Sequence, residues 1–182
     1  MKKPFNDEPV QTLVPQLLKN NGTVLDLRLK YIGDVGMKIL SDMEILQDLR
    51  ELNLERNDIS ATGIQYLADS KIITRLTVLR LERNSLGDEG ARILAQSPNF
   101  SGLTFLNLWK NSIGPEGAKE IAQSLYLSGL TTLDLAQNRI GDAGAKALAE
   151  TMTLVNLSYL DVFGNNISEE TQNYLKNAEA IA

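Results

Sequence analysis

The side chains of this sequence that could do chemistry are mostly carboxylates. Its 182 residues include 23 Asp or Glu and 18 Lys or Arg, for a formal net charge of −5, and neither Cys nor His. Without thiol or imidazole groups there is no thiol nucleophile, imidazole base, disulfide or conventional zinc, haem or iron–sulfur site. The acidic excess also disfavours nucleic acid and anionic membranes as partners. We therefore expect no cofactor and no metal ion, and most classes of enzyme are excluded.

Two carboxylates, Asp134 and Asp161, occupy equivalent points of a repeating pattern. On adjacent strands they would be about 4.8 Å apart, where they could pair as a general acid and a general base. The alternative is a shallow electronegative patch, since no nucleophile or metal-binding cluster accompanies them. We favour the patch and expect no catalytic residue.

Two Gly-Asp-x-Gly segments, 87–90 and 141–144, have the residue types of phosphate or calcium loops. They lack the Lys-Ser/Thr of a P-loop and the ligand spacing of an EF-hand. Because both recur in phase with the repeat, we interpret them as part of the fold.

The pattern that must position these residues is a repeat of 27 residues. Each copy contains Leu-x-x-Leu-x-Leu-x-x-Asn, in which alternate leucines predict a short strand and the Asn closes a turn. We expect the inward Asn to bond backbone groups of its own and the next repeat, because an amide offers both donor and acceptor. Five copies are nearly complete and a weaker one begins at Gly22. The ladder residues are Asn57, Asn84, Asn111, Asn138 and Asn165.

A helix is predicted in the second half of each repeat, where small and aliphatic residues recur at i, i+1, i+4 and i+5. Ser60 and Ser168 can serve as N-caps, and Pro115 suits a first helical position. The segment 10–18 is in phase with the later helices and is predicted to be an N-terminal cap that Pro15 ends or kinks.

Strands joined by helical crossovers of this length must be parallel, and stacking them gives an α/β solenoid. Helices are wider than strands, so we expect the sheet to line the concave side. The motifs resemble those of leucine-rich repeat proteins, and the long helical repeats are similar to the ribonuclease-inhibitor type. The resemblance covers about residues 22–175. It implies a right-handed horseshoe of about six repeats with convex helices and a concave face that binds proteins. We divide the chain into a cap (1–21), a repeat domain (22–175) and a C-terminal tail (176–182).

Residues between the inward leucines should face the partner, and they form three columns across the strands. These 18 positions hold four of the ten aromatic residues, where an even spread would place about one. The residues predicted to bind protein are Val78, Arg80, Glu82, Arg83, Phe105, Asn107, Trp109, Lys110, Thr132, Asp134, Ala136, Tyr159, Asp161 and Phe163.

The aromatic residues predict a shallow trough. Its walls are Phe105 and Trp109 on one side and Tyr159 and Phe163 on the other, with the small residues Thr132 and Ala136 as its floor. The alternative is that the rings are merely exposed, with the last two covered by the tail from residue 177. The strand columns project to about 340 Å², less than the roughly 800 Å² of a standard interface, so we expect the following loops to take part.

The sequence thus predicts a non-catalytic module that binds a folded protein partner. Inhibition of a partner enzyme and a bacterial effector role are subcases, and the alternative is a small-GTPase regulator, because Ran GTPase-activating proteins resemble this repeat type. Pro4 and the polar residues after it interrupt any signal peptide. We expect a cytoplasmic protein, or one delivered to a host cytosol by a route that needs no signal peptide.

Overall fold

The computed structural model describes residues 8–177, which form repeating strand–turn–helix units. The strands are β1 (Leu18–Lys19), β2 (Val24–Asp26), β3 (Glu51–Asn53), β4 (Val78–Arg80), β5 (Phe105–Asn107), β6 (Thr132–Asp134) and β7 (Tyr159–Asp161). The α-helices are α1 (Val10–Leu17), α2 (Gly33–Ser41), α3 (Ala61–Asp69), α4 (Gly87–Gln96), α5 (Pro115–Ala122), α6 (Gly141–Ala149) and α7 (Glu169–Asn177). Short 3-10 helices span Glu44–Leu46 and Pro98–Phe100.

The strands form one sheet in chain order, and β2 to β7 pair in parallel. The register is that of the sequence repeat, since Leu52 pairs with Leu79 and Leu106 with Leu133. Each helix packs against the helix of the next repeat. The predicted α/β solenoid is therefore confirmed.

The core is a continuous stack of aliphatic layers between strands and helices. Strands β2 to β6 bury their central leucine and leave both neighbours half-buried. Ile64, Leu94 and Ile121 are fully buried from the helical side. Burying one such side chain contributes about 1.5–3 kcal/mol, so every repeat stabilises its neighbours through these layers.

The Asn ladder connects each repeat to the preceding one. Asn138 donates through Nδ2 to the carbonyls of Leu108 at 3.0 Å and Leu135 at 2.8 Å. Its Oδ1 accepts from the backbone N–H groups of Asn111 at 2.9 Å and Ile113 at 3.0 Å. The prediction that the amide would serve the next repeat is wrong. Within residues 8–177 the Leu108 carbonyl accepts no backbone N–H, and the amide of the following repeat pairs with it instead.

The Asp of each Gly-Asp segment caps the helix of the next repeat. Asp88 Oδ1 accepts from the N–H groups of Gly114 at 2.6 Å and Gly117 at 3.0 Å, at the start of α5. Asp142 accepts from the Ser168 N–H, which precedes α7, and Asp34, in a third Gly-Asp segment at 33–36, accepts from the Ser60 N–H, which precedes α3. The structural interpretation of these segments is confirmed, and the caps give the chain a double repeat of 54 residues.

The predicted helix starts are also confirmed. Ser60 precedes α3, and its Oγ accepts from the Thr62 N–H in the first turn. Ser168 precedes α7, and its Oγ accepts from the Thr171 N–H. Pro115 is the first residue of α5.

The N-terminal region differs from the sequence expectation in two ways. Pro15 lies inside α1, which continues to Leu17, so Pro15 does not end the helix. Only two helical residues, Gln16 and Leu17, follow Pro15, so few backbone bonds are lost. The chain then forms β1, an unpredicted strand that pairs antiparallel with β2 and covers that edge of the sheet.

Among residues 8–177, no further strand pairs with β7, which lies at the other edge of the sheet. Its central Leu160 is only half-buried. A cavity of about 500 Å³ lies against it, lined partly by Val162, Ile167 and Leu175. Helix α7 continues to Asn177, past the boundary expected at residue 175, and residues 178–182 of the tail lie outside the described part.

Candidate functional site

The candidate site is the strand face, defined as the outward residues of β2–β7 together with the residue two places beyond each strand. Alternation along a strand turns these side chains away from the leucine core. Its three columns are Val24, Glu51, Val78, Phe105, Thr132 and Tyr159; Asp26, Asn53, Arg80, Asn107, Asp134 and Asp161; Arg28, Glu55, Glu82, Trp109, Ala136 and Phe163.

The six residues of the predicted trough lie in register. Thr132 pairs with Phe105 on one side and with Tyr159 on the other. The backbone bonds from Lys110 to Ala136 and from Gln137 to Phe163 place the third column in the same order. We call these six residues, together with Asp134 and Asp161, the trough.

The two walls differ in exposure. Tyr159 is 54% exposed and Phe163 is 75% exposed. Phe105 and Trp109 are half-buried. On the floor, Ala136 is only 5% exposed, so it offers little contact area.

The two arginines predicted to bind protein, Arg80 and Arg83, stack on the first wall. The Arg80 guanidinium lies 4.8 Å from the ring centroid of Phe105, and the Arg83 guanidinium lies 5.2 Å from that of Trp109. Both are within the range of cation–π attraction. Both arginines belong to the repeat of β4, which lies on the opposite side of the first wall from Thr132. They therefore contact this wall from outside the trough.

The acidic and amide residues of the middle column also have a structural role. Asp134 Oδ1 accepts from the Ala136 N–H at 2.9 Å, and Asp161 Oδ1 accepts from the Phe163 N–H at 2.8 Å. Asn107 does the same for Trp109. These bonds two residues ahead are Asx turns, which end the strand and fix the third column. The recurrence of Asp or Asn at this position was the signal for the turn.

Two carboxylates of the strand face, Glu82 and Asp134, have a raised pKa. Burial, followed by the charge of Glu55 and then that of Asp134, raises the pKa of Glu82 to about 7, against lowering by its own backbone N–H and by Arg80. Its Oε2 is buried without a hydrogen-bond partner. Burial also raises the pKa of Asp134, with a further contribution from Asp161. The charge of Asp161 raises the pKa of Tyr159.

The remaining predicted contact residues lie beside the trough. Arg83 and Lys110 are in the turns after the strands, both with positive φ, 56° each. Val78 is half-buried in β4. The cavity beside β7 shares Asp161 and Phe163 with the trough and is otherwise lined by residues outside the trough.

Residues 8–177 contain no group of three or more acidic, Cys or His side chains that could hold a metal ion. In the same residues, every helix is too short or too polar to cross a lipid bilayer.

Comparison with known proteins identifies the repeat. Segments 46–68, 74–95, 103–122 and 127–149 match the model of a leucine-rich repeat family. The chain is a leucine-rich repeat protein. No curated protein matches it.

Solved structures similar to this leucine-rich repeat chain share about one residue in five. The leucine-rich repeat ectodomain of the receptor kinase SOBIR1 from Arabidopsis thaliana is 20% identical over 71% of the chain, with a TM-score of 0.39. A TDR receptor is 19% identical over 76%, with a TM-score of 0.38. An internalin, InlF, from Listeria monocytogenes is 20% identical over 80%, with a TM-score of 0.37. The present chain spans 62%, 22% and 49% of these three chains.

Proposed function

We propose that this leucine-rich repeat protein is a non-catalytic module that binds a folded protein partner through its strand face. Leucine-rich repeat proteins commonly mediate protein–protein interactions, and solenoids of this kind present extended binding surfaces. The observation that carries the proposal is the register of four aromatic side chains around Thr132 and Ala136. Aromatic residues are the usual energetic anchors of protein interfaces.

The exposure of two of these rings adds support. Phe163 and Tyr159 leave most or much of their surface in water, although apolar surface of that size is costly to expose. A partner that covers them would recover this free energy. The strand face is narrow, so the turns that carry Arg83 and Lys110 would extend the interface.

We further propose that binding occludes the partner, as in inhibitors of the ribonuclease-inhibitor type or in bacterial effectors. In both cases the partner would be an enzyme whose active site is covered by the strand face. A loss of that enzyme's activity on addition of the purified chain would distinguish occlusion from simple recruitment.

The test is affinity capture followed by measurement of binding. The purified chain is used to capture proteins from a lysate, mass spectrometry identifies a partner, and its Kd is measured for Trp109→Ala and Phe163→Ala variants. We expect each variant to weaken binding at least tenfold, because each removes an anchor. Tyr126→Ala is the matched control, since Tyr126 is 41% exposed and lies outside the strand face.

Unchanged affinity of the Trp109 and Phe163 variants, with native circular dichroism, would overturn the proposal. A loss of affinity in the Tyr126 variant of the same size would also count against it.

A further inference from the structure

We propose that the trough receives a cationic side chain, an arginine or a lysine, presented by the protein partner. The inference rests on the proposed function, because it names the chemistry by which the strand face would select its partner.

The arrangement of rings and carboxylates fits a cation. Asp134 lies on the floor strand between the two aromatic walls, and Asp161 is its neighbour on β7. The walls stand two strands apart, about 10 Å, which leaves room for one extended side chain between them. A cation in this position would contact aromatic faces and carboxylate oxygens together.

The charge of the strand face supports the same partner. Among its 18 residues, the only basic ones are Arg28 and Arg80. Arg28 is paired with Asp26 at 2.8 Å, and Arg80 stacks on Phe105. The acidic residues of the face are Asp26, Glu51, Glu55, Glu82, Asp134 and Asp161. A partner's positive charge would relieve repulsion among these carboxylates.

The first wall already shows that its rings accept guanidinium groups. Arg80 and Arg83 stack on Phe105 and Trp109 within the chain. In the described part of the chain, no cation stacks on Tyr159 or Phe163. The groups that a partner's cation would contact are therefore the rings of the second wall and the carboxylates of Asp134 and Asp161.

The inference can be tested without knowing the partner. Trp109 is the one tryptophan of the sequence, so its indole N–H gives a single NMR signal that reports on the trough. The probes are N-acetyl-arginine amide, N-acetyl-lysine amide and N-acetyl-citrulline amide, which has nearly the shape of the arginine probe but no charge. We expect saturable shifts of the Trp109 signal with the two cations. The Kd for the arginine probe should be at least fivefold lower than that for citrulline.

The charge requirement is tested by Asp134→Asn and Asp161→Asn. Both variants keep the Oδ1 acceptor of the Asx turn, so the fold should be retained. Each is expected to weaken the arginine probe at least threefold. Glu116→Gln, which removes an exposed carboxylate at the start of α5, should leave the Kd unchanged.

Equal shifts with arginine and citrulline, or no saturable shift with any probe, would overturn the inference. The proposed function has a separate outcome. If a captured partner loses affinity with Trp109→Ala but not with Asp134→Asn and Asp161→Asn, the strand face binds protein by apolar contact and only the cation inference fails.

Discussion

Glu82 is a carboxylate whose folded environment opposes its charge. Burial raises its pKa to about 7, with the charges of Glu55 and Asp134 adding to the effect and Arg80 opposing it. Arg28 also lies within electrostatic reach. An unfolded Glu titrates near 4.3, so between about pH 4.3 and pH 7 the folded chain holds a proton that the unfolded chain has lost. By linkage, this group's contribution to stability falls as the pH rises through that window and is constant above it.

Glu82→Gln should therefore stabilise the protein at pH 8 and have little effect at pH 4.5. Because the side chain is partly exposed, solvent screening makes the stabilisation smaller than the full pKa shift would give. We expect the free energy of unfolding to rise by about 1–2 kcal/mol at pH 8. The measurement is urea unfolding of both proteins at pH 4.5, 6 and 8. The difference between their free energies of unfolding isolates Glu82, because the pH dependence due to the other carboxylates is the same in both proteins. If the free energies of unfolding of the two proteins changed with pH in parallel, Glu82 would have an ordinary pKa.

At the scale of residues, the sequence predicted positions better than partners. The 27-residue register placed Phe105, Thr132 and Tyr159 on adjacent strands because their spacing equals the repeat. It did not predict that Arg80 and Arg83 stack on the rings, since that depends on side-chain rotamers across two strands. Which of the predicted contact residues bind a partner stays a prediction.

Among the elements, α5 depends on a carboxylate from the preceding repeat. Asp88 accepts from two N–H groups at its N-terminus, where the helix dipole favours a negative charge. Gly117 makes this approach possible, because a Cβ there would lie 2.6 Å from Asp88 Oδ1.

Asp88→Ala should lower the free energy of unfolding by about 1–2 kcal/mol, the usual cost of losing an N-cap. The matched control is Glu89→Ala, which removes the adjacent carboxylate whose bonds go to Arg92 instead. Denaturant unfolding of both variants is the measurement, and the control should move the midpoint far less. Equal shifts would mean that general helix electrostatics, and not the bonds to α5, account for the effect.

The elements that the sequence did not predict lack a local signal. β1 has two residues and pairs antiparallel, so neither the alternation of apolar residues nor the repeat marks it. The Gly-Asp segments were correctly assigned to the fold, but the cap they form joins residues 26 to 29 positions apart. Such a contact can be found only after the repeats are stacked.

The whole molecule is a one-dimensional stack, so the stability of each repeat depends on its neighbours. The first parallel strand, β2, is covered by β1, whereas Leu160 of β7 is half-buried beside the cavity at that strand. Leu133, one repeat earlier, is fully buried. Among the described repeats, the one that contains β7 therefore gains less from burial than those inside the stack, and it should open first.

Leu133→Ala and Leu160→Ala test this gradient because they remove the same atoms at equivalent positions of adjacent repeats. Leu133→Ala should cost about 2–5 kcal/mol, as in other closed cores, and lower the unfolding midpoint measured by both Trp109 fluorescence and far-UV circular dichroism. Leu160→Ala should cost less than half as much. It should lower the unfolding midpoint measured by circular dichroism but hardly change the midpoint measured by Trp109 fluorescence. Trp109 lies two repeats away, and local opening of one repeat need not spread through the stack. Coincident shifts of both signals in the Leu160 variant would show that the solenoid unfolds as a single cooperative unit.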